Sequence, residues 1–185
     1  VLTEKKADMG TARMMAVSAL EAELYYHAGQ VEEGDKAIDI FLKEAVEPAP
    51  AFWLEALVRT ADILEKRYEQ SVRRKEVPAS EQDRQAKRLM EIYAYLCRHA
   101  VFRPEQLPAQ VALHSRFADS LMRSGKYTQA LEEYQWLCRQ VPLEQSGRYL
   151  RGQGLAYEAG GWYERAVEQW RLLSRGLPVQ SQAWY

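Results

Sequence analysis

The side chains most able to do chemistry in this sequence are three histidines and two cysteines. His27, His99 and His114 lie far apart, and none has the His-Glu-x-x-His spacing that places two metal ligands on one helical face. Cys97 and Cys138 fall within apolar helical runs, so we interpret both as small buried apolar residues rather than as a disulfide or a ligand pair. We therefore expect no enzymatic activity, no cofactor and no metal ion.

A second set of candidate residues is rich in arginine and could bind carboxylates. The set comprises Arg116, Asp119, Arg123, Arg148, Arg151 and Glu158. Residues spaced by three and four lie on one stripe of a helix, and an arginine fork pairs with a carboxylate through two contacts. The alternative is that the arginines only form surface salt bridges with Asp119, Glu158 and their neighbours, worth ~0–1 kcal/mol each.

Composition narrows the class of protein. A chain of 185 residues with a net charge of −1 suits one domain or one repeat array, and gives no bulk attraction to nucleic acid. The charge is uneven, since residues 1–50 hold five basic against ten acidic side chains. No stretch resembles a signal peptide or a membrane span, so we expect a soluble protein without membrane insertion. The sequence leaves the compartment open between the cytoplasm and the periplasm.

The elements that must position these residues repeat along the chain. A pattern of small, large apolar, glycine and proline positions recurs 36 residues further along the chain. Its seven positions in the first copy are Ala118, Leu121, Gly125, Tyr127, Ala130, Tyr134 and Pro142. The corresponding residues of the second copy are Gly154, Tyr157, Gly161, Tyr163, Ala166, Trp170 and Pro178. Each copy indicates a helix, a glycine turn, a second helix and a proline stop. Small residues let two helices approach closely, and aromatic side chains fill the space beside them. Gly152 and Gly154 lie inside a predicted helix, so we interpret them as sites of close helix packing rather than as a phosphate-binding loop.

This pattern resembles the tetratricopeptide repeat, whose period is about 34 residues. The resemblance implies an all-α fold of about eight helices, in antiparallel pairs stacked as a right-handed superhelix. We expect one domain over residues 1–185, with repeats at 14–48, 51–104, 108–142 and 147–178. The first repeat is degenerate because Gly34 stands where alanine is usual, and in the last one Leu150 and Gln153 replace the usual leading tryptophan and leucine.

The repeat at 51–104 is enlarged by about twenty residues, mostly the charged stretch 66–85. Such insertions often map to a functional face. The alternative is a solvated helical extension without a partner. At the other end, Trp184 and Tyr185 are apolar, so we expect the natural chain to continue or these residues to dock on a partner.

The resemblance also implies a function. The family binds other proteins or peptides, and the first helix of each pair lines its concave face. The stripe of Arg116, Asp119 and Arg123 would then lie beside the stripe of Arg148, Arg151 and Glu158. Together these side chains would favour an acidic segment of a partner. The chain has no asparagine, so the asparagine-containing clamp of chaperone-binding members cannot be carried over. The alternative function is a structural or oligomerising element, with a possible homo-oligomer, in a bacterial cell-envelope or exopolysaccharide-export assembly.

Overall fold

A computed structural model describes residues 17–43, 50–74 and 78–176, and these residues are helical apart from short connections. The chain divides into an N-terminal unit, Val1–Val101, and a C-terminal unit, Phe102–Tyr185. The N-terminal unit contains α1 (residues 17–28), α2 (Val31–Lys43), α3 (Ala51–Arg74) and α4 (Ala79–His99). The C-terminal unit contains α5 (Leu107–Arg123), α6 (Tyr127–Gln140), α7 (Gly147–Ala159) and α8 (Tyr163–Gly176). The all-α prediction and the number of helices are confirmed for the described residues, which do not include Pro178, Trp184 and Tyr185.

Aromatic side chains form the core of the N-terminal unit. Phe41 of α2 is fully buried, and its ring meets Trp53 of α3 and Tyr95 of α4 edge-on, with centroid separations of 6.1 and 5.3 Å. Leu57 and Ile92 add buried aliphatic surface from α3 and α4. Edge-to-face rings attract one another in addition to burying apolar area, so these contacts join α2, α3 and α4.

The enlarged repeat takes the form of two long helices, since α3 has 24 residues and α4 has 21, against 17 for α5 and 14 for α6. The charged residues of α4 pair with α2. Arg88 lies 3.1 Å from Asp35 and 2.7 Å from Asp39, and its side chain is only 12% exposed. Burial opposes its charge, but these carboxylates raise its pKa. Arg84, which lies within the charged stretch 66–85, also pairs with Asp35 at 3.8 Å, so part of the insertion contacts α2.

In the C-terminal unit each helix packs against the next one along the chain. Ala118 and Leu121 of α5, Leu137 of α6 and Ala156 of α7 are completely or almost completely buried. Ala166 of α8, the helix that packs on α7, is 3% exposed. Helices joined in sequence and packed on their neighbours are typical of a layered helical architecture.

Three connections between helices have the same backbone geometry. Gly29, Gly125 and Gly161 all have positive φ, between 70 and 83°. In each turn the next residue donates its N–H to a carbonyl five residues back, as from Lys126 to Leu121 at 2.9 Å and from Trp162 to Tyr157 at 2.9 Å. This is the Schellman motif, which favours glycine because its left-handed residue carries no Cβ clash.

The shared turn geometry identifies equivalent positions in the following helices. Gly34, Ala130 and Ala166 each donate their backbone N–H at 3.0 Å to the residue that follows the left-handed glycine. All three are buried. A Cβ on Gly34 would lie 2.8 Å from the Tyr26 ring, which explains why glycine replaces alanine in the first copy.

We expect Ala166→Leu to lower the free energy of unfolding by about 1–3 kcal/mol, because a larger side chain overpacks the contact between α7 and α8. Urea denaturation measures this change. Ala112→Leu is the matched control, since Ala112 is exposed on α5 of the same unit and its replacement should change stability by less than about 0.5 kcal/mol. Equal effects of the two substitutions would contradict the assigned face of α8.

Candidate functional site

Three helices of the C-terminal unit enclose a pocket of about 240 Å³. Asp119 lines it from α5, Tyr134 from α6, and the remaining lining residues come from α7: Arg148, Tyr149, Arg151, Gly152 and Leu155. We call these seven residues the arginine pocket. It contains two arginines and one carboxylate, so its formal charge is positive, and an exposed leucine borders it.

The absence of a side chain at Gly152 allows α6 and α7 to approach at this point. A Cβ added there would lie 2.6 Å from Cζ of Tyr134, well inside van der Waals contact. The Tyr134 ring therefore lies against the backbone of α7 and is 5% exposed. In this position the Tyr134 hydroxyl extends past α7 and reaches α5.

The hydroxyl of Tyr134 donates a hydrogen bond to Oδ1 of Asp119, at 2.8 Å. Burial raises the pKa of Tyr134, and the negative charge of Asp119 raises it further, while the nearby charges of Arg148 and Arg123 oppose the shift. Tyr134 therefore stays a neutral donor at physiological pH, and one lone pair of Asp119 is committed to it.

Arg148 is held in place from two sides. Its Nη2 donates to Oγ of Ser115 on α5 at 2.8 Å, and its guanidinium carbon lies 5.1 Å from the centroid of the Tyr149 ring. A guanidinium has five N–H donors, so the bond to Ser115 leaves most of them available. The contact with Tyr149 lies within the range of a cation–π interaction. Arg148 is thus an exposed but oriented cation.

The structure brings three of the six candidate residues together. Asp119, Arg148 and Arg151 line the arginine pocket, and the charge of Arg123 acts on Tyr134 at its edge. Arg116 is half-buried on α5 and does not line the pocket. Glu158 is exposed near the end of α7, where its backbone carbonyl accepts the N–H of Gly161 at 3.1 Å.

Sequence reasoning missed Tyr134, Tyr149 and Leu155 as pocket residues, although two signals pointed to the region. Gly152 inside a helix indicated close packing, and Tyr134 occupies the aromatic position of the repeat. What the sequence could not indicate is which aromatic ring meets which glycine, because that depends on the crossing of α6 and α7.

A larger depression of about 410 Å³ lies where the turns of the C-terminal unit meet, and Lys126, Tyr127 and Trp162 are among its lining residues. Within the part of the chain that the structure describes, Lys126 is the one charged residue that lines it. It lacks the converging charged groups of the arginine pocket, and size alone does not make a binding site. We therefore place the candidate site at the arginine pocket.

His114 has structural contacts with α6. His114 Nδ1 lies 2.7 Å from Oε2 of Glu133, and its ring lies on Trp136 at a centroid distance of 4.1 Å. Among the described residues, no three His, Cys, Asp or Glu side chains form a group that could hold a metal ion.

Both cysteines are free thiols, but each is partly exposed rather than buried, so the interpretation of them as buried residues was wrong. The sulfur of Cys138 on α6 accepts a hydrogen bond from Nε2 of Gln153 on α7, at 3.3 Å. Gln153 is itself buried, at 8% exposure. Partial burial raises the pKa of Cys138 to about 11, against the lowering effect of the Gln153 hydrogen bond and of the charge on Arg139.

The chain matches no family model, no curated protein and no solved structure. Within the described residues, no helix combines the length and the apolar character needed to cross a membrane.

We expect Tyr134→Phe to lower the free energy of unfolding at pH 7 by about 1.5–3 kcal/mol, because it removes a hydrogen bond to a charged carboxylate. The pKa of Tyr134 is raised in the folded state, so this group adds stability below its unfolded pKa near 10, and the contribution is lost as the pH rises above that value. The difference between wild type and variant should therefore narrow above about pH 10.

Chemical denaturation at a series of pH values tests this expectation. Tyr127→Phe is the control, since among the described residues the Tyr127 hydroxyl has no hydrogen-bond partner. If the free energies of unfolding of wild type and Tyr134→Phe differ by the same amount at every pH, the Tyr134 hydroxyl is not shielded from ionisation.

In a Cys97→Ser variant, alkylation of Cys138 by iodoacetamide should follow an apparent pKa of about 11 in the folded protein. The thiolate is the reacting species, so the rate at pH 8 should be far below that of the urea-unfolded chain. A folded-state profile with a midpoint near the ordinary value of 9.0 would contradict the partial burial of this sulfur.

Proposed function

We propose that this chain is a protein-interaction module of the tetratricopeptide-repeat type, which binds an acidic segment of a partner protein in the arginine pocket. The observation that carries the proposal is the pocket itself. Arg148, oriented by Ser115 and Tyr149, stands beside Arg151 in a space whose single carboxylate, Asp119, already accepts a hydrogen bond from Tyr134.

The repeat character is supported by the turns. Gly29, Gly125 and Gly161 have the same left-handed geometry and the same pair of hydrogen bonds. The buried Ala130 and Ala166 follow them at the same distance, as the small residue does in the tetratricopeptide pattern. On this basis we assign α5–α6 and α7–α8 as successive repeats that stack in the manner of that family.

The charge and shape of the arginine pocket favour an acidic peptide. Two exposed arginines against one partly committed carboxylate leave a net positive charge, which attracts an anion. The guanidinium fork matches a carboxylate better than an ammonium would. Leu155, 40% exposed at the border, offers contact to an apolar residue beside the acidic one.

The volume of the pocket also discriminates between classes of ligand. Pockets for small molecules and cofactors usually measure about 300–1,000 Å³ and enclose most of the ligand. At about 240 Å³ the arginine pocket is smaller than that range and suits one or two side chains of an extended segment. Because Arg148 is already held by two contacts, little side-chain freedom is lost when a carboxylate binds.

A phage-displayed library of random peptides, selected on the immobilised full chain, tests the proposal. We expect enriched peptides to share an Asp or Glu next to an apolar residue, and the affinity of the synthesised peptides to fall as salt rises. Arg148→Ala together with Arg151→Ala should weaken that affinity at least tenfold, about 1.4 kcal/mol, as measured by fluorescence anisotropy.

The control replaces Arg139 and Arg165 with Ala, two exposed arginines of the same unit that do not line the pocket. It removes the same total charge and should leave affinity within about twofold of wild type, because loss of distant surface charge has a small, screened effect. Equal losses in both double variants, or no loss in either, would exclude the arginine pocket as the binding site.

A further inference from the structure

Helix α8 presents two different faces. Its inner face carries the buried residues Ala166, Gln169 and Leu173, and both Trp170 and Leu150 pack against Leu173. At about 100° per residue, the opposite face is centred on a stripe spaced by four, three and four residues. That stripe consists of Glu164, Glu168, Arg171 and Arg175.

The stripe is acidic in its N-terminal half and basic in its C-terminal half. All four side chains are exposed, and none forms an ion pair with another described residue. Surface charges on a helix commonly pair within the helix at a spacing of three or four. The like charges have the spacing of four, and Glu168 and Arg171, which have the spacing of three, form no ion pair with each other in the structure.

Apolar side chains border this stripe on both sides. Tyr163 and Val167 lie along one edge, with 68% and 47% of their surface exposed, and Leu172 lies along the other with 65% exposed. Single exposed apolar residues are ordinary, but here three flank one charged stripe on one helix. No described residue buries any of the three.

We propose that the outer face of α8 binds a second copy of this chain, with the two α8 helices antiparallel and related by a two-fold axis that passes between Gln169 and Trp170. In this register Glu164 lies opposite Arg175 of the other copy, and Glu168 lies opposite Arg171. Each pairing occurs twice, because a two-fold interface uses the same residues from both subunits.

Charge determines the orientation of the two helices. A parallel copy related by a two-fold axis would place Glu164 against Glu164 and Arg171 against Arg171, and like charges across an interface are unfavourable. The antiparallel arrangement removes every such contact. It also keeps like edges together, so the Tyr163–Val167 edges meet on one side of the ion pairs and the Leu172 edges on the other.

The expected dimer is weak. Exposed ion pairs contribute little to affinity, so the charges set specificity more than affinity. A single helix pair buries less than the ~1,200 Å² typical of stable interfaces. We therefore expect dissociation at micromolar concentrations and a tighter dimer at low salt, where ion pairs are least screened.

The experiment uses paired charge reversals in the full chain. Variant one carries Glu164→Arg and Glu168→Arg, and variant two carries Arg171→Glu and Arg175→Glu. Sedimentation equilibrium should show a concentration-dependent dimer for wild type and monomers for each variant alone. An equimolar mixture of the two variants should dimerise again, because the basic stripe of one then faces the acidic stripe of the other.

Recovery in the mixture separates this interface from a folding defect, since two misfolded variants would not regain a defined dimer. A control with Glu105→Arg and Glu132→Arg reverses two exposed charges outside α8 and should dimerise as wild type does. A wild-type chain that stays monomeric up to about 1 mM would overturn the proposal and leave the α8 face to residues 177–185 or to another protein. Dimers of undiminished affinity in either variant alone, or a mixture that stays monomeric, would also overturn it.

Discussion

The contact between an aromatic ring and a glycine backbone is the constraint on which the C-terminal unit depends. A Cβ on Gly152 would meet the Tyr134 ring at 2.6 Å, and one on Gly154 would meet the Trp170 ring at 2.8 Å. Because α7 carries both glycines, it is packed closely against α6 and α8 at once. Because the backbones of α6 and α7 lie close together, the Tyr134 hydroxyl reaches Asp119. The same short distance determines the shape of the arginine pocket.

The N-terminal unit contains the same type of contact, an aromatic ring against a glycine, with different residues. The Tyr26 ring lies against Gly34, its hydroxyl donates to Asp35, and Arg88 neutralises that carboxylate. A buried phenol needs an acceptor, and a carboxylate that accepts from it is stabilised by a cation nearby. Burial and the adjacent carboxylate raise the pKa of Tyr26, as they do for Tyr134. In the N-terminal unit Arg88 is bound to three carboxylates, whereas Arg148 remains exposed at a pocket.

The elements of this fold could be predicted from sequence because they follow from local chemistry. Glycine at 29, 125 and 161 marks left-handed turns, and the spacing of small and aromatic residues marks the helix faces. The candidate site was predictable only in part, since Asp119, Arg148 and Arg151 share helical stripes but Tyr134 comes from another helix. The burial of Cys138 was misjudged because it depends on how α6 and α7 pack, which no local pattern encodes. The superhelical stacking remains a prediction.

The arginine pocket draws on α5 and α6 from one helix pair and on α7 from the next. Because α7 packs as extensively on α6 as on α8, an exchanged α7–α8 pair would have to re-form the contact with α6. It would need a small residue at the position of Gly152 to accommodate the Tyr134 ring, while its other α7 side chains would form a new pocket with Asp119 and Tyr134. Ligand preference in such an architecture can change by recombination between pairs, without any new substitution inside one.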